Sequence, residues 1–180
     1  MKTKRAGRAI KIRAAMILAI VQAAGLAGMR ADAQDLALTG LAGQAVTLTP
    51  AQIGALPHVT LTVQVEGKTT TFGGVPLSAL LARVDAPAGK ALKGKDLADL
   101  VLVSARDGYT VALALAETDP LMRKDQIILA DSADGQPLAD AMGPYRLVVE
   151  GDLRAARSER MVVAIALRRL SATPEGGTKP

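Results

Sequence analysis

Over residues 60–65 polar and apolar side chains alternate without a break, Thr-Leu-Thr-Val-Gln-Val. A period of two puts Leu61, Val63 and Val65 on one face, which a half-buried strand satisfies and an amphipathic helix does not. Other short runs follow the same logic. Gly67-Lys68 supplies a turn into a returning strand over residues 69–72. Arg106-Asp107-Gly108 separates the apolar runs 100–104 and 109–115 and is the strongest hairpin signal in the chain. Residues 127–129 and 146–149 read as buried strands, and residues 161–170 as a long final strand rich in β-branched side chains. Residues 36–49 form a strand or hairpin interrupted at Gly40 and Gly43. Helix signals are brief. Thr49-Pro50-Ala51-Gln52 fits an N-cap with proline in the first turn, opening a helix that stops before Pro57. Over residues 76–84, Leu77, Leu80, Leu81 and Val84 fall on one helical face. The expected class is α+β: strand-dominated mixed sheets with a few short helices, and no internal repeat or splitting linker.

Composition narrows the chemistry. The 180 residues contain no Cys, one His, no Trp, two Tyr and one Phe. Disulfides, thiolate metal sites and cysteine nucleophiles are therefore excluded, as is any site built from two imidazoles. Three aromatics argue against a base-stacking surface. The basic pI of about 9.7 comes from one end of the chain. Residues 1–33 carry Lys2, Lys4, Arg5, Arg8, Lys11, Arg13 and Arg30 against Asp32 alone, leaving 15 basic and 16 acidic side chains beyond them. A nucleic-acid partner loses its support with that division.

The same N-terminal stretch has a targeting signature. A cationic segment precedes a mostly apolar run over residues 14–29, and Ala31-Asp32-Ala33 supplies an A-x-A cleavage site. The apolar run is short for a membrane span and is broken by Gln22, Gly25 and Gly28. No arginine pair marks it for folded, twin-arginine export. The expectation is a cleaved signal peptide (1–33), a module over residues 34–172 and a disordered tail (173–180). The chain is then periplasmic, with no stable membrane insertion after cleavage.

Taken singly, the polar residues offer little catalysis. His58 enters a strand, and no G-x-S-x-G elbow accompanies it, so a strand-edge role is expected. Asp131-Ser132-Ala133-Asp134-Gly135 lacks the alternating acids and closing Glu of a calcium loop and reads as an Asp/Gly turn. Gly73-Gly74 opens no phosphate-binding pattern. Arg154, Arg157, Arg160, Arg168 and Arg169 interleave with Glu150, Asp152 and Glu159, the pattern of a solvated mixed-charge surface.

The order of the second half is more specific. Asp107-Gly108-Tyr109 is followed by Ile127-Ile128-Leu129-Ala130-Asp131, then Asp134-Gly135-Gln136-Pro137-Leu138, then Gly143-Pro144-Tyr145-Arg146-Leu147-Val148-Val149 and Gly151-Asp152. This succession resembles the oxidoreductase molybdopterin-binding domain of the sulfite oxidase family, in which an (N/D)-G-x-P-L turn precedes a G-x-P-x-R-(V/L)-V-V strand. Gly74-Val75-Pro76-Leu77 and the Leu80-Leu81 helix agree more weakly, and the resemblance spans residues 47–170.

The resemblance implies a molybdopterin cofactor whose metal is held by a cysteine in a C-x-G strand. Here Val63-Gln64-Val65-Glu66-Gly67 occupies that stretch, with Val65 in the thiolate position. Met142 stands where the family has a cofactor-binding histidine and Glu159 where it has a lysine; Arg146 matches a cofactor-contacting arginine. No catalytic residue and no metal ligand is assigned. Arg146, Asp107 and Tyr109 are expected at the cofactor cleft, with Arg146 either paired to Asp107, Asp131 or Asp134 or facing an anion. The function expected is a periplasmic binding or accessory module for a small anionic ligand or protein partner, working without catalytic molybdenum. The alternative is a molybdopterin-dependent oxidoreductase that retains the cofactor without a cysteine ligand.

Overall fold

The computed structural model describes residues 34–65 and 67–170; the expected signal peptide and tail lie outside them. Among the described residues ten strands form two sheets. The first five-stranded sheet runs β2 (Ala45–Leu48), β1 (Leu36–Thr39), β10 (Val162–Arg168), β5 (Leu100–Ala105), β6 (Thr110–Ala114). The second runs β3 (Val59–Val65), β4 (Lys68–Pro76), β7 (Ile127–Ala133), β8 (Gln136–Pro137), with β9 (Arg146–Val149) also on β7.

Local chemistry accounts for the hairpins. β1 and β2 pair antiparallel across Gly40–Gly43, with Gly43 at a φ of 82°. β3 and β4 pair from Val59↔Gly74 to Val65↔Lys68, so the second strand of this hairpin is longer than the 69–72 run suggests. Asp134 and Gly135, at φ of 50° and 76°, form the tight turn between β7 and β8; two successive positive φ values are what a two-residue hairpin turn asks for. Asp134 also exchanges two bonds with Thr71, N to O at 2.7 Å and Oδ1 from the Thr71 amide at 3.0 Å. The Asp/Gly turn reading of this segment holds.

The expected helices are present but shorter. α1 (Pro50–Gly54) starts on Thr49, whose hydroxyl accepts from the Gln52 amide while the Gln52 side chain accepts from the Thr49 amide, a capping box. α2 is Leu77–Leu81, and a 3-10 turn (Ala82–Val84) completes the segment before Asp85 leaves it at a φ of 54°. Leu77, Leu80, Leu81 and Val84 are all buried, as their spacing requires. Further 3-10 turns at Gly89–Ala91, Gly94–Ala98, Leu115–Thr118 and Ala155–Arg157 carry no sequence signal strong enough to anticipate.

Two apolar clusters hold the sheets. The larger gathers Leu36, Leu38, Val101, Val103, Leu113, Ile165, Leu167, the α2 leucines and, from the second sheet, Ile127, Leu129, Leu147 and Val149. The smaller gathers Leu61, Phe72, Ile128, Ala130, Leu138 and Val148 on the opposite face of that sheet. Covering both faces explains why β7 and β9 read as continuous apolar runs where β3 alternates. It also assigns Arg146, on the same face as Val148, to the smaller cluster.

Candidate functional site

Backbone hydrogen bonds lace three segments together. In the β5–β6 turn, the Ala105 amide donates to the Tyr109 carbonyl (2.9 Å), Gly108 takes a φ of 87°, and the Asp107 carboxylate accepts from the Tyr109 amide (3.0 Å). From this turn the Arg106 amide donates to the Met161 carbonyl (3.0 Å), and the Tyr109 hydroxyl donates to the Ala156 carbonyl (3.2 Å). The Met161 amide then reaches the Met142 carbonyl (3.3 Å), Val162 reaches Tyr145 (3.0 Å), and Leu147 donates to Glu159 (2.8 Å). Residues 105–109, 142–147 and 156–162 thus form one locality, and the expected site residues Arg146, Asp107 and Tyr109 all belong to it.

Their exposure differs. Asp107 and Tyr109 are on the surface, whereas Arg146 is 5% exposed. Its guanidinium carbon lies 5.3 Å from the centre of the buried Phe72 ring, a cation–π placement. Arg146 Nη1 is 3.8 Å from the Met142 sulfur. Asp107 and Asp134 cap backbone amides, and Asp131 pairs with His58. A second guanidinium reaches the same sulfur, Arg160 Nη1 at 4.0 Å. Arg160 is exposed, and only its place among the basic residues of that segment hints at a role.

Glu159 corrects the sequence reading. Instead of lying on a solvated mixed-charge surface it is 4% exposed, and neither carboxyl oxygen has a partner at hydrogen-bonding geometry among the described residues. Burial raises its pKa to about 7, the Asp107 charge adds to the rise, and the Ala105 backbone, its amide already donating to Tyr109, offsets part of it. Two arginines of the basic stretch, Arg157 and Arg169, do pair with acids. Arg157 forms bonds of 3.0 and 2.6 Å to Asp152 and one of 3.3 Å to Glu117. Arg169 bridges Asp99 and Asp96.

His58 is tied to β7 and precedes Val59, which lies in the same cross-sheet row as Gly74, Ala130 and Arg146. Nε2 is 2.9 Å from Asp131 Oδ2 and Nδ1 is 2.8 Å from the Leu56 carbonyl. Both partners only accept, an arrangement that favours the doubly protonated ring. Burial lowers the His58 pKa, but the bonds to Asp131 and Leu56 outweigh it and the net shift is upward. The histidine acts as a strand-entry clip between the chain ahead of β3 and β7. Nearby, burial and then the charges of Asp131 and Asp35 push Tyr145 up to about 12.

The comparisons with known proteins agree with this architecture. The oxidoreductase molybdopterin binding domain family matches residues 24–173. The chain belongs to that family. Among solved structures, the sulfane dehydrogenase SoxCD from Paracoccus pantotrophus superposes with a TM-score of 0.58 at 21% identity, covering 77% of this chain and 39% of that one. The fold is therefore the sulfite oxidase-like domain fold, and the chain spans well under half of the SoxCD chain it matches. No curated protein sequence matches the chain.

Family membership implies a molybdopterin, and the donor set does not fit one held through sulfur. The chain has no cysteine. Val65, expected from the resemblance to stand in the thiolate position, is the last residue of β3, paired with Lys68. The single imidazole is committed to Asp131, and among the described residues no three His, Cys, Asp or Glu side chains converge. Glu159, expected from the resemblance at the position of a lysine, presents a buried carboxyl instead of an ammonium group.

Proposed function

We propose that this family member is an exported binding or accessory module that works without catalytic molybdenum and engages a small anionic ligand or an acidic partner at the Met142 locality. The observation that carries the reading is the arrival of two guanidinium groups, Arg146 and Arg160, at the Met142 sulfur. Arg146 is stacked on Phe72 and held in place, while Arg160 is open to solvent. A buried arginine beside an exposed one suits a carboxylate or an oxoanion, which guanidinium recognises through paired N–H donors. Asp107 and Tyr109 lie on the neighbouring turn and shape the approach. Export rests on the sequence of residues 1–33, which has the cationic, apolar and A-x-A parts of a signal peptide.

The test combines metal analysis with ligand binding. Protein purified from the periplasmic fraction should begin at Gln34 and contain no stoichiometric molybdenum by mass spectrometry. Calorimetric titration with sulfate, phosphate and small carboxylates should show binding that Arg160→Ala weakens about tenfold, the loss of one charge-assisted contact. Near-unit molybdenum per chain would establish the oxidoreductase reading instead. Anion affinity untouched by Arg160→Ala would remove the binding site from this locality.

A further inference from the structure

Away from that locality, residues 86–98 and 115–125 build a second surface. The buried carboxylate of Asp119 holds it: Oδ2 accepts from the Gly89 amide, Oδ1 from the Leu121 amide (2.8 Å), and the Asp119 carbonyl from the Met122 and Arg123 amides (both 3.0 Å). The Leu115 amide donates to the Asp99 carbonyl (2.8 Å), and Leu92 and Leu115 are buried beneath. What this scaffold presents outward is apolar. Leu97, Leu121 and Met122 are 44%, 69% and 51% exposed.

The charge around them is one-sided. Lys90, Lys93, Lys95 and Lys124 are exposed, and no carboxylate lies within 4.0 Å of any of them among the described residues. The acids of the same segments are spent on arginines or amides: Asp96 and Asp99 on Arg169, Glu117 on Arg123 and Arg157, Asp125 on Arg123, and Asp119 on the backbone. Four unopposed ammonium groups are therefore carried by the same two segments as the three bare apolar tips, and the Asp119–Gly89 bond joins those segments.

We propose that this face docks on an anionic lipid bilayer, with Leu121 and Met122 entering the headgroup boundary and the four lysines meeting lipid phosphates. The residue types choose between a bilayer and an acidic protein. Protein interfaces favour aromatics and arginine and are depleted in lysine; here every free cation is a lysine and no aromatic is present. Lysine stems lie along apolar surface while their heads stay at the polar boundary, the arrangement of interfacial membrane contacts. Three apolar tips are also too few for the roughly 800 Å² per partner of a stable protein interface. Each lysine near an anionic leaflet strengthens attachment about fivefold, and the attraction is salt-sensitive.

The absence of cysteine from the chain makes a clean test. In the full chain, Met122→Cys carries an environment-sensitive fluorophore, and Thr60→Cys, on the exposed face of β3, carries it as a control. Vesicles of phosphatidylcholine with phosphatidylglycerol should blue-shift the label at position 122 and leave that at position 60 unchanged. Phosphatidylcholine alone should do neither. Adding Lys90→Ala and Lys124→Ala should raise the lipid concentration at half-shift about 30-fold. A label at 122 that stays aqueous on the anionic vesicles overturns the proposal. So does a shift independent of phosphatidylglycerol or of the lysines, and so does an equal shift with soluble polyglutamate, which would assign the face to an acidic protein. Because the label reports only its own surroundings, binding through residues 1–33 cannot imitate the expected result.

Discussion

Glu159→Met isolates the energetic cost of the buried carboxyl. In the folded chain the Glu159 pKa stands at about 7 against an ordinary value of 4.5. The folded state therefore holds this proton more tightly than the unfolded state, and between those two values the unfolded chain binds fewer protons. Stability must fall as pH rises through that window and level off above it. Each pKa unit is worth about 1.4 kcal/mol, so the full penalty is about 3 kcal/mol, with only a small part felt at pH 5. Methionine fills a similar volume without a charge. The gain in unfolding free energy of Glu159→Met over the parent should exceed its gain at pH 5 by about 2.5 kcal/mol at pH 8. Urea titrations of both proteins at the two pH values read this as a difference of differences, which cancels the titration of every other group, His58 included. Asp107→Asn, which removes the second cause of the raised pKa, should shrink the parent's pH dependence in the same direction. Parallel pH profiles for parent and Glu159→Met would refute the argument and mean that the carboxyl reaches solvent or a donor.

Other perturbations follow from the same structure. His58 has its pKa raised, so its bond to Asp131 stabilises fully below the unfolded value of 6.5 and is lost as pH rises through the folded value. Both side chains are about one-third exposed, so Asp131→Asn should cost no more than about 1 kcal/mol at pH 5.5 and less at pH 8.5, measured by denaturant titration. Gly74→Ala should be far worse, because the new Cβ would stand 2.5 Å from Ala130 Cα and against the Leu129 carbonyl; a loss of about 3 kcal/mol, seen as a melting point on the order of 10 °C lower, is expected. Val65→Cys should melt within about 2 °C of the parent and still contain no stoichiometric molybdenum by mass spectrometry, since Met142 and Glu159 also depart from the family.

What the sequence made readable is local. The β3–β4 and β5–β6 hairpins, the Asp134-Gly135 turn and the Thr49 cap each depend on residues within a few positions of one another, and each is found. The parallel pairing of β1 with β10 joins Ala37 to Ala164 and leaves no trace in either strand, because a half-buried strand shows its period but not its neighbour. Arg146 shows the same limit in a site. Its position on a buried strand was legible, but its placement over Phe72, from a strand two places away in the second sheet, was not.

Glu159 fails for a different reason. Its charged neighbours suggested a wet surface, yet residues 156–161 follow no regular period, so adjacent side chains share no common exposure. Met161 at a φ of 53° and the Leu147–Glu159 hydrogen bond draw this one carboxyl beneath the hairpin turn while Arg160 next to it stays outside. The positions at which the sequence reads as departing from the family pattern are β3's final residue and two connecting segments, Val65, Met142 and Glu159. Met142 packs against the smaller apolar cluster, and Glu159 is buried. Both lie in connecting segments, where a side chain can change without moving the register of a strand, and a fold does not by itself fix the chemistry of its site. Hydrocarbon, thioether and carboxyl at these positions, where the resemblance implies sulfur, imidazole and ammonium, leave Arg146 over Phe72 as the contact around which the proposed anion site is built.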